Sequence, residues 1–198
     1  MKSWAIKISI FAIATIIGCA KPHIPVSDLK EFELCRRWNE RLGHSVYEIE
    51  GVLELRSDRI EGRWDAYVVV ESFDNVKVIL FDPFSNLEVG RIEPKGKRMI
   101  FKYGRYRFNL DIPSDVFAQA LTASPNCDMI RKHGKLRYSL KFKDDQLLLW
   151  TVWRKSRIIG VFKYSEGFGM HKNRVIPKKL EFVWEGEPSF KGAFVFYN

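Results

Sequence analysis

From Tyr47 to the end of the chain, apolar and polar side chains alternate with a period of two, in short runs separated by turn residues. "VYEIEGVLELRS", "GRWDAYVVVES" and "NVKVILFD" come first, then "GRIE", "RMIFKY" and "GRYRFNL". In the last of these, Tyr106, Phe108 and Leu110 fall on one face and Arg105, Arg107 and Asn109 on the other. The pattern resumes with "LRYSLKF", "QLLLWTVW", "RIIGVFKY", "RVIPKKLEFVWEG" and "FKGAFVFYN". A period of two marks strands with one buried face. Asp74-Asn75, Lys95-Gly96, Gly104 and Asp144-Asp145 supply tight turns, and "GFGMHKN" at 167–173 reads as a flexible hairpin connection. Connections this short make successive strands antiparallel neighbours.

Two stretches read as helices instead. Val26 to Leu42 reads as a helix, with Asp28 and Glu31 as an acidic capping box and Gly43 as the stop. Leu29, Phe32, Cys35, Trp38 and Leu42 make its apolar stripe. Pro113-Ser114-Asp115 opens a second helix running to about Ala123, with Ser114 as N-cap and Val116, Phe117, Ala120 and Leu121 as its apolar face. About ten strands in one flat sheet would leave a face bare, so the sheet curls around the helices. The expected fold is mainly β (α+β): an unclosed antiparallel half-barrel, with the N-terminal and mid-chain helices packed in its concavity. The inner face is large and aromatic. Trp64, Tyr106, Phe108, Tyr138, Phe142, Trp150 or Trp153, Phe182, Trp184 and Phe194 are the candidate cavity walls.

The first residues have a different character. Lys2 and Lys7 precede the apolar run Ile8 to Ile17, which is of signal-peptide length and too short to span a bilayer. Ile16-Ile17-Gly18-Cys19 resembles the lipobox of bacterial lipoproteins. That resemblance implies cleavage before Cys19 and lipid on its sulfur, where several acyl chains give stable anchoring. The expected organisation is a signal peptide at 1–18, a lipidated tether at 19–26 and one domain at 27–198. Ala20 follows the cysteine rather than aspartate, and by the rule of enteric-type bacteria this implies the outer membrane, facing the periplasm.

The net charge is +9 for the whole chain and about +7 after the signal segment is removed. The charges are spread along the strands, so most of them solvate strand faces. In an exported protein the excess suits anionic lipid headgroups or acidic partners better than nucleic acid. Cys35 and Cys127 remain once Cys19 is lipidated. In an oxidising compartment they either pair or stay as separate buried thiols, and spacing alone does not choose.

The order of elements, with "VILFDPFSNLEVGRIE" and "DIPSDVFAQALTASP", resembles the LolA/LolB-like half-barrel envelope lipoproteins, which include the outer-membrane lipoprotein receptor LolB. An uncharacterised lipoprotein family shares the pattern. The resemblance implies an apolar cavity that holds acyl chains beneath a helical lid. It also implies an exposed apolar residue in a strand-connecting loop that helps place cargo in the membrane. Phe84, in Asp82-Pro83-Phe84-Ser85, stands at the matching position, with Ser85 where the family has glycine. The implied partners are acylated lipoproteins or other acyl-chain ligands and a periplasmic LolA-like carrier, and the chain is expected to act as a monomer.

No G-x-S-x-G, H-E-x-x-H, P-loop or G-x-G-x-x-G occurs. His23, His44, His133 and His171 are scattered, and none has a partner at metal-ligand spacing. Cys127 with His133 is better read as a structural thiol and a surface histidine than as a nucleophile and base. The expectation is therefore no enzyme, no metal and no cofactor. The alternatives are a structural or assembly lipoprotein whose concavity is packed solid, and a sensor that binds misplaced lipoproteins. An empty apolar cavity separates the carrier from both.

Overall fold

The computed structural model describes residues 26–43, 47–72, 75–131, 135–172 and 174–197. The first half contains α1 (Val26–Leu42), β1 (Tyr47–Ser57), β2 (Glu61–Ser72), β3 (Asn75–Phe81), β4 (Glu88–Lys95), β5 (Arg98–Tyr103) and β6 (Tyr106–Pro113). Two helices come next, α2 (Ser114–Leu121) and α3 (Asp128–Arg131). The second half contains β7 (Arg137–Lys143), β8 (Gln146–Arg154), β9 (Arg157–His171), β10 (Arg174–Trp184) and β11 (Phe190–Phe196).

All 11 strands form one antiparallel sheet in the order β6-β5-β4-β3-β2-β1-β11-β10-β9-β8-β7. Two meanders, β1–β6 and β7–β11, therefore lie side by side and join where the first strand pairs with the last, Gly51 opposite Phe196 through Ser57 opposite Phe190. β6 and β7 are the edges and do not pair with each other, so the sheet is an unclosed half-barrel. The two-residue period sets the faces. Trp64, Ala66, Val68 and Val70 of β2 are buried. On the outer face, ion pairs cross between neighbouring strands, Arg63 to Glu54 at 3.5 Å and Lys163 to Glu181 at 3.0 Å. The sheet coils enough for β6 to reach the far meander: the Trp184 indole N–H on β10 donates to the Asp111 carbonyl at 2.9 Å. Arg154 on β8 lies 3.6 Å from the Asp111 carboxylate, and Arg98 on β5 lies 3.3 Å from it.

Several local expectations change. α1 spans the expected residues, but Asp28 and Glu31 lie inside it rather than forming a capping box. Glu31 instead accepts a hydrogen bond from the backbone N–H of Leu140, on edge strand β7. The helix thereby covers part of an edge that would otherwise present an unpaired donor. Leu29, the first residue of the stripe, is 40% exposed. Ser114 is not an N-cap. Pro113 occupies that position and makes no side-chain cap, while Ser114 opens the helix and its N–H donates to the Lys97 carbonyl at 3.1 Å. α2 stops at Leu121, because Ala123 turns to a left-handed φ of 53°. α3 is a single turn that the apolar periodicity does not announce.

"GFGMHKN" is strand for most of its length, since β9 continues to His171. Glu166 and Gly167 have φ of 63° and 76°, and the register opposite shifts between Pro177 and Lys179. Glycine there serves a β-bulge rather than a turn. Asp144 and Asp145, at φ 49° and 59°, do form the β7–β8 turn. Aspartate tolerates that left-handed conformation better than most side chains.

Candidate functional site

The concavity is apolar from strand to strand, and α2 lies across it. α2 runs against β3, β5 and β6 and is buried on nearly all sides, including Val116, Phe117, Ala118, Ala120 and Leu121. An eight-residue helix is marginal alone, so this one owes its existence to burial. Two tyrosine hydroxyls hold its C-terminal turn. Tyr164 of β9 donates to the Ala120 carbonyl at 2.9 Å, and Tyr47 of β1 donates to the Leu121 carbonyl at 3.5 Å. Burial holds both hydroxyls well above their usual range, so they remain donors at any working pH.

α1 in turn fixes the segment between α2 and α3. The Trp38 indole donates to the Ala123 carbonyl at 2.8 Å, and the Asn39 amide donates to the Pro125 carbonyl at 2.9 Å. Cys35 and Cys127 are joined by a disulfide with their Cα atoms 5.8 Å apart. The disulfide thus ties α1 covalently to the segment that links α2 to α3.

Between α2 and the sheet lies a wholly apolar space lined by Phe117 and Leu121 of the helix and by Leu53, Leu55, Phe162, Leu180, Phe182 and Phe194 of the strands, among others. It measures about 10 Å³, room for one water at most. In this conformation the concavity is packed, and a ligand there requires α2 to yield.

The expected walls sort into core and rim. Trp64, Tyr138, Trp150, Phe182, Trp184 and Phe194 are buried. Trp150 has no exposure and packs against Tyr138 and Phe162, with ring centroids 4.9 and 5.0 Å apart. Among the described residues, its indole N–H has no partner. Phe108 and Phe142 are only half-buried. Tyr106 is not a cavity wall: it is 52% exposed. It is the first residue of edge strand β6, next to the Gly104-Arg105 turn, and stacks on Phe108 beneath the Arg105 guanidinium. Trp153 lies directly opposite Arg137 of β7, whose guanidinium sits 5.9 Å from the indole centroid, so Trp150 is the inward tryptophan.

Phe84 is 97% exposed, in the β3–β4 loop, and Leu87 in the same loop is 66% exposed. The loop owes its shape to Asp82, whose carboxylate accepts the N–H groups of Phe84 and Ser85 at 3.0 and 2.8 Å and the Ser85 hydroxyl at 2.9 Å. These hydrogen bonds hold the Asp82 carboxyl below its ordinary range. Asn86, with φ 54°, supplies the left-handed residue of the loop. Cys19, with the whole signal segment and most of the tether, lies outside the described residues.

Sequence patterns find the walls and miss the fasteners. Tyr47 and Tyr164 sit on the apolar side of their strands and read as filler, although a buried tyrosine needs a partner for its hydroxyl. Among the described residues, no cluster of three or more His, Cys, Asp or Glu is placed to hold a metal ion. No helix there is long and apolar enough to cross a membrane.

The site and fold define an unclosed antiparallel half-barrel with a helix lying across its apolar face. No protein-family model and no curated protein matches the chain. Among solved structures, it is similar to a LolA superfamily protein from Nitrosomonas europaea, at 12% identity and TM-score 0.45, over 85% of this chain and 91% of that one. It is also similar to a DUF1329 family protein from Desulfovibrio piger, at 9% identity and TM-score 0.49, over 86% and 91%. A third is the lipoprotein LppX of Mycobacterium tuberculosis, at 6% identity and TM-score 0.31, over 86% and 93%. None of these three reaches a TM-score of 0.5.

Proposed function

We propose that the protein is a lipid-anchored envelope protein, tethered through Cys19, that takes acyl chains between α2 and the concave face and delivers acylated proteins to the outer membrane. One observation carries the reading. The concave face is apolar throughout, and the helix covering it is held to the strands by side-chain hydrogen bonds only at its last turn, among the described residues. Lifting α2 uncovers a surface that an acyl chain can cover again at little net cost, because backbone hydrogen bonding is already satisfied within the sheet. Phe84 and Leu87 then serve as the point of contact with membrane or cargo, and no covalent chemistry is needed.

Acyl burial is worth roughly 0.8 kcal/mol per methylene. Binding of acylated peptides to the full chain carrying Cys19→Ser should therefore strengthen about fourfold per added methylene until the face is filled. Affinity independent of chain length would sink the proposal.

The packed core favours a second reading, in which α2 never leaves and the protein works through its outer surface as an assembly lipoprotein. That reading predicts no acyl binding at any chain length.

A further inference from the structure

β1 and β10, the two neighbours of β11, reach Tyr47 and Arg174 at one end of the sheet. A cavity of about 240 Å³ opens there, lined by Tyr47, Glu48, His171, Lys172, Arg174 and Ile176.

Two features of this cavity point to a ligand. Lys172 is exposed, and the Arg174 guanidinium lies 5.8 Å from the centre of the Tyr47 ring. Among the described residues, the Nε2 atom of His171 is buried with no hydrogen-bond partner, an arrangement that native proteins rarely leave unfilled. Glu48 also lines the cavity, and its carboxylate accepts from the Tyr67 hydroxyl. The rest of the lining is apolar. Ile176 is buried, and Tyr47 reaches through to the Leu121 carbonyl, where Leu121 lines the apolar space beneath α2. Tyr47 thus touches both the cationic cavity and the C-terminal turn of α2.

We infer that this cavity is the headgroup seat for an amphiphile with an anionic head, a carboxylate or a phosphate, whose chain runs past Tyr47 under α2. The inference rests on the proposed acyl site and adds the charge of the ligand's head. Charge-assisted hydrogen bonds from Arg174, Lys172 and His171 would hold the head.

The test compares ligands with one tail and different heads on the full chain carrying Cys19→Ser: palmitate, hexadecyl phosphate and hexadecanol, with inorganic phosphate alone as a fourth arm. Palmitate or hexadecyl phosphate is expected to bind about tenfold or more tighter than hexadecanol. Lys172→Met and Arg174→Met, each checked for an unchanged melting temperature, should shrink that preference and leave hexadecanol affinity as it was. Lys172 is exposed, so its replacement keeps the test valid even where the Arg174 variant loses stability. Equal binding of all three tails overturns the headgroup seat and leaves the acyl site standing. Inorganic phosphate binding as tightly as hexadecyl phosphate also overturns it, because the tail then contributes nothing. Failure of every tailed ligand overturns the acyl site itself.

Discussion

The indole N–H of Trp184 donates to the backbone carbonyl of Asp111 at 2.9 Å, across the open side of the half-barrel. Trp150, on the same face and equally buried, has no acceptor for its N–H among the described residues. Tryptophan to phenylalanine removes similar volume at both positions, but only at 184 does it break a hydrogen bond and strand a carbonyl. Trp184→Phe should therefore cost about 1–3 kcal/mol more than Trp150→Phe in denaturant unfolding. Equal costs would mean that the contact does not hold the seam.

The two meanders meet at glycine. A Cβ on Gly192 would lie 2.3 Å from the Glu54 carbonyl oxygen and 2.7 Å from the Phe182 ring. The ring can turn, but the carbonyl belongs to the β1–β11 ladder and cannot retreat without breaking it. Gly192→Ala should destabilise by about 1–3 kcal/mol, read as a lower melting temperature.

The disulfide joins residues 92 positions apart and ties α1 to the loop after α2. On chain-entropy grounds its removal should cost about 2–5 kcal/mol. Cys35→Ala with Cys127→Ala, or added reductant, should lower the unfolding midpoint and speed hydrogen exchange at residues 114–131 ahead of the central strands. Uniform loss of protection would show that the bond stabilises the whole sheet and not the helical segment.

Burial, its largest influence, raises the Glu31 carboxyl above its ordinary value, and the Leu140 N–H only partly offsets it. The folded state therefore binds a proton more readily than the unfolded chain. Glu31 contributes most to stability below its unfolded value, near 4.5, and that contribution is lost as pH rises through the folded value. Glu31→Gln keeps an acceptor for Leu140 without the buried charge. Its stability relative to the parent should improve from pH 4 to pH 7, and a difference that stays flat with pH would contradict this account.

α1, α2, the strands and the sidedness of most strands are legible in the sequence because periodicity reports burial directly, whereas the single turn of α3 is not. Val116, Phe117 and Leu121 are readable as an apolar face, but the burial of α2 on nearly every side is not. That depends on how tightly the sheet coils, which is set by long-range pairing of β1 with β11. Tyr106 is misplaced by the sequence pattern for a related reason: alternation gives its face, and only its position at the start of an edge strand shows that nothing covers it. The glycines of "GFGMHKN" signal a left-handed backbone, which a bulge and a turn require alike. The Glu31–Leu140 and Trp184–Asp111 contacts join residues that no local pattern relates.

The most direct test of the acyl site uses the protein's own tryptophans. Trp150 and Trp184 are fully buried on the face that an acyl chain would cover. A peptide carrying a brominated palmitoyl chain, titrated into the full chain with Cys19→Ser, should quench their fluorescence and saturate at one equivalent. The same peptide without the acyl chain should leave it unchanged. Unquenched fluorescence across the titration would mean that α2 does not yield and that the concavity is only a core.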